Sequence, residues 1–547
     1  MTSAQSAEMT PSLAVGDARA VAPFSGGLSI RQRAAVGAAV ACVFAAVLQA
    51  RLTSFALADL QGAFGVGPDE AAWLNTVFAV AEVMAIPPAV WLAGVLSLRR
   101  TFVPAAVAFA AVSLLAVRVR DFEMLLVLRA LQGLSGGALI PMAMPTFRRK
   151  LPNMNRLYAF ALYGIVASVP ISLAPLIEAW IVENGSFRLV FVPPAVIAGV
   201  AALVGVWGFP RQPVNWSELR HPDPLGLALP SIGLGAVLLG IEQANRLDWF
   251  ASRWVIGMVT AGLLVLVAFI RHELAHPTPA FRLDVFTNRN FTVAIVTMAL
   301  FRISLMMVAW AIPDFLVRIQ SLRPIDFASV FLSMAVPQLV LPFVAVHLVR
   351  RFDPRLTIAA ALALQCAACL RGLALDANWA LDELWPIFVL HGVGQGLFFL
   401  PILSLLSLNL DVPHRSSAVV VVNFVRLVGG SAGVSVVGTL LTQSVHFHHN
   451  VLNEHLASGA GPAAERLVAK TQQLAARTSG DAAPLALHLV RGVVRRESLV
   501  LAYSDVFLMV GAGLLGCVLL QTLLRPVSLE ELMTGTQGRA EPPRDRF

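Results

Sequence analysis

Charge is what this 547-residue sequence has least of: Asp, Glu, Lys and Arg together make up 13% of it. That is about half the usual ~25% of a soluble chain. A soluble protein of this size needs a charged shell, and this chain cannot make one. Cysteine is equally scarce, four in 547 residues, which excludes a secreted disulfide scaffold. No glycine-rich phosphate-binding loop is present, which argues against ATP-driven chemistry. What the sequence does have is apolar side chains, 57% of residues, with a mean hydropathy of +0.75. Intrinsic disorder is thereby excluded as well. What remains is an all-α polytopic membrane protein. The formal charge of +8 and pI of about 10.1 raise the question of nucleic acid. The basic residues, however, fall in short clusters between apolar runs, a distribution that fits membrane topology rather than a phosphate-binding face.

A span needs ~20 apolar residues to cross ~30 Å of hydrocarbon. Fourteen stretches qualify. The first six lie at about 34–58, 71–96, 101–118, 123–146, 156–182 and 187–209. Two follow at about 224–243 and 252–272, and six more at about 291–317, 326–348, 355–372, 384–408, 416–443 and 499–524. None alternates with period two as barrel strands do, so helix is expected throughout. The grouping predicts a disordered cytoplasmic tail over 1–30 and a six-helix bundle over 31–210. Two added helices with their linker follow over 211–287, then a second bundle over 288–525 and a tail over 526–547. The second bundle carries a long extracytoplasmic loop, 444–498, whose stretches 467–474 and 485–494 are amphipathic enough for a membrane surface or a partner protein. Basic residues concentrate on one side of the spans, at Arg99-Arg100, Arg148-Arg149-Lys150 and Arg350-Arg351 among others. This predicts both termini in the cytoplasm. The basic pairs recur after the second helix of each set, as a parallel repeat would have them, and such repeats place a substrate site between the halves.

Six charges sit inside spans: Arg51, Glu82, Arg129, Glu178, Arg302 and Arg426. Each costs at least ~2.5 kcal/mol on insertion scales, so each marks a candidate functional position. At 1.5 Å per residue, Arg51 lies roughly 12 Å and Glu82 roughly 18 Å from the outer helix ends, depths that allow an Arg51–Glu82 pair. The plain alternative is a structural ion pair that locks helices together. A carboxyl removed from water can hold or release a proton near neutral pH. An arginine cannot titrate, so it tunes the acid or holds an anionic group.

Residues 125–142 read LLVLRALQGLSGGALIPM. This resembles the fourth-helix motif L-x-x-x-R-x-x-Q-G of the major facilitator superfamily, supplied here by Arg129, Gln132 and Gly133. The likeness runs on in order. LQARLTSFALADL (48–60) resembles a first-helix LDxTIVNVALPxI segment, Trp73 falls in an outer aromatic segment, and Pro175 sits at the proline of the fifth-helix G-P-x-x-G-G motif. RLDWF (246–250), LDVFTNRNFT (283–292), GLFFLP (396–401), NFVRLVGGSAG (423–433) and His448-His449 resemble later landmarks. The chain is thus similar to the fourteen-helix drug:proton antiporters of the EmrB/QacA type. The resemblance implies the major facilitator fold, two six-helix bundles plus two linker transmembrane helices. It also implies proton-coupled efflux of organic compounds across a bacterial inner membrane, with no cofactor beyond the proton gradient. A periplasmic membrane-fusion adaptor and an outer-membrane channel are implied as partners, and no nucleic acid.

The departures bear on mechanism. The first-helix aspartate of the family is Gln49 here, with Arg51 as an added charge. The inner-loop motif G-x-L-x-D-R-x-G-R is reduced to WLAGVLSLRRTF (91–102), which keeps Arg99 and Arg100, has Ser97 at the glycine and lacks the acid. Ala174 precedes Pro175, and Glu178-Ala179 replace the glycines after it. Glu82, with Arg51 and Arg129, is therefore expected to take the proton-coupling role vacant at Gln49, with Glu178 as second choice. Altered or absent coupling, and transport in the uptake direction, are the competing expectations. By the family's arrangement helices 1, 4, 9 and 12 line the cavity. They bring Arg51, Arg129 and Arg302 with Gln49, Gln132, His391, Phe398 and Phe399, and the three arginines with the aromatics favour an amphipathic or anionic aromatic substrate. For Phe398 and Phe399 ordinary packing is the alternative. Gly133, Pro175, Arg99, Arg100, Asn423 and Arg426 are expected to serve gating or structure.

Three strings look enzymatic. His272-Glu273-Leu274-Ala275-His276 matches H-E-x-x-H, the zinc-protease pattern, but it falls at an inner helix end with Pro277 directly after it and no suitable third ligand downstream. A polar helix end beside the C-terminal dipole is the expected reading. Gly429-Gly430-Ser431-Ala432-Gly433 fits G-x-S-x-G but lies within an apolar helix, where small residues permit close packing. Cys366 and Cys369 form a C-x-x-C inside a span with no second pair, and read as apolar filler. The histidines His446, His448 and His449 read as a solvated outer segment. No metal site and no catalytic residue is expected.

Overall fold

The computed structural model of the protein describes residues 29–150, 153–216, 223–277, 279–408, 414–457, 465, 468–469, 471–473 and 482–527. The expected tails, apart from residues 29–30 and 526–527, and much of the stretch 467–474 lie outside the described residues. No strand occurs among the described residues. Fourteen of their helices are long and apolar enough to cross a membrane. We number them α1 Ile30–Phe55, α2 Pro68–Val95, α3 Leu98–Ala116, α4 Phe122–Phe147, α5 Leu157–Asn184, α6 Phe187–Gly208, α7 Pro224–Ala244, α8 Arg253–Ala275, α9 Arg289–Arg318, α10 Val330–Arg351, α11 Pro354–Gly372, α12 Leu381–Leu406, α13 Ser416–Glu454 and α14 Leu485–Leu523. The helix starts follow the local chemistry of capping. Ser29, Asp121, Asp223, Ser252 and Asp353 each accept a hydrogen bond from a first-turn amide, and Pro68, Pro224 and Pro354 open their helices.

The hydropathy edges match the structure for twelve spans and fall short for two. Helices α13 and α14 run on as helix well past residues 443 and 499, so much of the expected loop 444–498 is helical. Residues 444–457 contain no Gly or Pro to stop a helix. Hydropathy marks where a chain leaves the membrane, not where its helix ends. The two extensions meet, with His448 Nε2 2.8 Å from Asp505 Oδ2. Along 485–494, Ala486, Val490 and Val494 turn inward while Leu485, Leu489 and Val493 stay exposed.

Helices α1–α6 pack among themselves, as do α9–α14. The halves meet where α5 packs on α10 and α12, and where α2 packs on α13. One continuous apolar cluster joins α1, α4 and α5 to α9–α14. The added α7 packs on α2, α8 and α13, whereas α8 packs mainly on α7. Side chains such as Leu203 and Leu264 are left outward on the rim, where lipid tails would cover them.

Two faces follow from the helix order, one carrying the α1–α2 connection and one the α2–α3 connection. On the α2–α3 face the halves are shut. Arg350 lies over the Tyr158 ring at 5.4 Å, and deeper in the seam Ser172 Oγ donates to Gln338 Oε1 at 2.8 Å. The opposite face is open.

Candidate functional site

Glycines set the geometry of the first half. A Cβ on Gly133 would stand 2.3 Å from the Phe78 carbonyl oxygen, and one on Gly137 2.0 Å from that of Glu82. Only glycine permits α4 to lie this close to α2. At that distance Arg129, fully buried on α4, reaches across. Its Nε donates to the Leu74 carbonyl at 3.1 Å, its Nη1 to Gln132 Oε1 at 2.5 Å, and its guanidinium lies 4.2 Å from the Phe78 ring centre. Gln132 Nε2 passes the chain on to Ser113 Oγ at 2.6 Å. Gln132 therefore orients Arg129 from inside the bundle and does not line the cavity.

The open face leads into a cavity of about 800 Å³ between the halves. Its charged lining is Arg51 from α1, Glu82 from α2, Arg129 from α4, Glu242 from α7, Arg302, Asp314 and Arg318 from α9, and Arg426 from α13. Asp314 and Arg318 pair at 2.8 Å near the mouth. Deeper in, Arg426 Nη2 lies 3.2 Å from Glu82 Oε1, both side chains about 5% exposed. This is an ion pair between the two halves, formed across the α2–α13 contact. Arg302 Nε donates to the Arg426 carbonyl at 3.0 Å. Arg51 is half-buried, with Glu242 and Glu82 as its acidic neighbours. Glu242 lies within hydrogen-bonding reach of Ser431 on α13.

Several expectations are corrected here. The partner that Glu82 holds is Arg426, not Arg51, because α2 and α13 are in contact while Arg51 approaches from α1. The lining comes largely from α1, α2, α9 and α13, with α7 added, and α12 is not part of it. Phe398 and Phe399 are buried packing: Phe398 stacks on Phe301 at 3.7 Å, and Phe399 meets the same ring edge-on at 5.5 Å. His391 is fully buried on the same helix, and neither ring nitrogen has a hydrogen-bond partner among the described residues. Gln49 faces the inside of its own bundle, where its Nε2 donates to Thr53 Oγ1 at 3.1 Å. Glu178 is buried near the open face beside Asp59 of the Leu57–Phe64 helix, away from the cavity lining. Burial pushes the Asp59 carboxyl above its ordinary range. Pro175 is buried inside α5. Asn423 Nδ2 donates to the Val419 carbonyl at 2.8 Å on its own helix, one turn from Arg426. Arg99 and Arg100 open α3 on the shut face, Arg100 exposed and Arg99 half-buried.

Sequence reasoning missed Asp314 and Arg318 at the mouth and, deeper in, Glu242. Its signal was an acid inside the apolar run 224–243. Grouping α7 and α8 as linker helices outside the two bundles hides that signal. The structure gives α7 a place in that core. Gln243 Nε2 donates to Thr76 Oγ1 at 3.0 Å, and Ser435 Oγ donates to the Ile241 carbonyl at 2.6 Å. Helix α7 is thus tied to α2 on one side and α13 on the other. A second cavity, about 650 Å³, shares Trp310 and Arg318 with the first and reaches the extensions of α13 and α14 at His446, Arg495 and Arg496.

Comparison with known proteins gives a consistent picture. Residues 39–434 match the model of the Major Facilitator Superfamily. The chain is 26% identical over 485 residues to the "Fatty acid resistance protein FarB" of Neisseria gonorrhoeae, covering 85% of this chain and 90% of that one. It is 24% identical over 472 residues to the "Colistin resistance protein EmrB" of Acinetobacter baumannii, covering 85% and 91%. Among solved structures, a bacterial homolog of the human lysosomal transporter Spinster, inward-facing and unoccupied, aligns with a TM-score of 0.52 at 13% identity. That alignment covers 94% of this chain and all of the other, and bears on fold alone.

Proposed function

This chain belongs to the Major Facilitator Superfamily, and on that premise we propose that it exports amphipathic organic compounds in exchange for protons. It is a transporter rather than an enzyme. The observation that carries the proposal is the Glu82–Arg426 pair at 3.2 Å, a charge contact between two bodies that must move past one another. A proton on Glu82 removes the charge that Arg426 holds and frees α2 to shift against α13. The names of the two relatives quoted above, both resistance proteins, support the outward direction of transport. Both termini are taken as cytoplasmic, so the open face is periplasmic and protons from outside reach Glu82 through the cavity. Arg51 and Arg129 are the further cations near Glu82. Glu178, off this path, has no part in the exchange. The helical extensions of α13 and α14 are the surface a periplasmic adaptor and outer-membrane channel would meet. The proton gradient supplies the energy.

Linkage fixes what the substrate must do. Exchange requires that proton and substrate compete, so the exported compound needs the ionised form of Glu82, or of Glu242 beside it. A cavity of about 800 Å³ lies within the roughly 300–1,000 Å³ of small-molecule sites, and its walls offer apolar surface such as Phe55, Phe78, Ile171 and Phe327 for the body of such a compound.

A second reading rests on the cavity's five arginines against three acids. A lipophilic anion that takes Arg426 from Glu82 makes protonation of Glu82 easier. Proton and anion then bind together, and a proton gradient drives such an anion inward.

The test is transport by everted membrane vesicles with and without a pH gradient, using lipophilic drugs and aromatic or long-chain acids. Exchange predicts uptake into everted vesicles that collapses when the gradient is dissipated and is lost in Glu82→Gln. Gradient-insensitive transport, or normal gradient-driven transport in Glu82→Gln, sinks the proposal. Substrate binding that tightens on acidification favours the second reading.

A further inference from the structure

At the α2–α3 face, far from the transport cavity, the hairpin of α7 and α8 brings two helix ends together. Asp223 is the N-cap of α7, and its Oδ1 accepts from the Gly226 amide at 2.8 Å. His272 lies in the last turn of α8 and His276 caps it, with ring centres 5.2 Å apart. His272 Nε2 stands 2.8 Å from Asp223 Oδ1, and ligand atoms of Asp223, His272 and His276 all lie within 4.8 Å of one another. The two histidines face one way because they are four residues apart on a helix. The third donor comes from upstream, through the hairpin, where a search along the sequence after the motif finds none.

Capping explains one oxygen of this group and leaves two others over. Among the described residues, Asp223 Oδ2 and Glu273 Oε1 are both buried without a hydrogen-bond partner, on side chains 6% and 4% exposed. A Cβ on Gly226 would stand 2.2 Å from the first and 2.7 Å from the second, so both oxygens face the same space and only glycine leaves it open. Glu273 is fixed there by its other oxygen, which accepts from the Phe281 amide at 3.1 Å. Buried carboxylate oxygens without donors are costly, and a divalent cation facing them offsets that cost. We infer that Asp223, His272 and His276 form a binding site for a zinc-class divalent transition metal, with Glu273 beside it.

Two imidazoles and a carboxylate are donors that suit such an ion, with bonds of ~2.0–2.2 Å, and Glu273 stands beside them. The metal ties the start of α7 to the end of α8. It also secures the strap that leaves α8, since Arg282 of that strap donates from its amide to Ser417 Oγ at 2.7 Å, and Asp284 meets His414 at 2.9 Å. The strap ends on the helix that carries Arg426.

The test uses the full chain without an affinity tag, purified in detergent, stripped with chelator and titrated with zinc chloride by calorimetry. One zinc per chain is expected, with a raised melting temperature and, on cobalt substitution, the visible absorption of a tetrahedral site. Asp223→Asn and His276→Gln are each expected to weaken zinc at least ~10-fold. His276→Cys, which keeps a zinc donor, retains binding. His448→Gln, at the opposite face, leaves it unchanged. A wild-type chain that takes up no stoichiometric zinc overturns the assignment. So does binding that survives the double variant His272→Gln/His276→Gln, or that is lost in His448→Gln.

Discussion

The first six helices and the last six treat buried polarity differently. In the first set the interior holds a full charge: Arg129 is settled by the Leu74 carbonyl and by Gln132, without an acid of its own. The last set also buries a charge, Arg302, whose Nε donates to the Arg426 carbonyl at 3.0 Å, but it adds a series of neutral amide pairs. Gln338 Nε2 donates to Gln395 Oε1 at 2.7 Å, Ser304 Oγ to Gln365 Oε1 at 3.1 Å, and Gln521 Nε2 to Thr297 Oγ1 at 3.1 Å. What neither half settles internally is complementary. The first turns Glu82 outward, the last turns Arg426, and they meet at the seam. Among the described residues, the ion pair buried on both sides is this one between the halves.

The first way to break this comparison is to remove the close approach that lets the first half hold Arg129. Gly137→Leu puts a side chain where the Glu82 carbonyl already lies, forcing α4 off α2. We expect a loss of more than about 3 kcal/mol and little folded protein by size-exclusion in detergent. A normally folded Gly137→Leu would show that the α2–α4 contact does not set the site.

The second concerns the seam. Arg426→Gln leaves Glu82 buried without its partner and should cost about 3–5 kcal/mol in thermal unfolding, whereas Glu82→Gln/Arg426→Gln should recover most of that loss. Both variants lose gradient-driven transport. If the double variant is as unstable as the single one, the two halves are not complementary in the sense described.

The smallest effect sharpens the comparison at the loops. The α2–α3 connection bends through Ser97 at φ +107°, while its counterpart between α10 and α11 caps with Asp353 at φ −57°. Ser97 stands where the family has glycine, in a backbone region that favours glycine. Its hydroxyl accepts only a long bond, 3.4 Å, from the Arg100 amide. Ser97→Gly should therefore stabilise the fold by about 0.5–1 kcal/mol, seen as a raised melting temperature. The matching Asp353→Gly should destabilise it, since that residue caps in an ordinary conformation.

The spans were legible because crossing hydrocarbon demands a continuous apolar run, a property of the chain read one residue after another. The six charges were legible for the same reason, as exceptions inside such runs. Arg129, Gln132 and Gly133 could be read together because a helix places residues three and four apart side by side. Partnership across the molecule was not legible in this way. Glu82 and Arg426 are 344 residues apart. Nothing in either helix says which way it is rotated until the helices around it are packed. Phe398 and Phe399 illustrate the same limit, since an aromatic pair on an apolar helix reads alike whether it faces a cavity or Phe301.

By itself, then, the sequence determined that this chain lives in a membrane, how often it can cross, and which side chains are too polar to be there by accident. Local composition and the helical repeat suffice for that. Tertiary packing alone decided that Glu82 answers to Arg426, that Glu242 of an added helix reaches the cavity, and that Asp223 joins His272 and His276. These depend on the rotation and register of helices distant in sequence, which close contacts at Gly133, Gly137 and Gly226 set and no local pattern encodes.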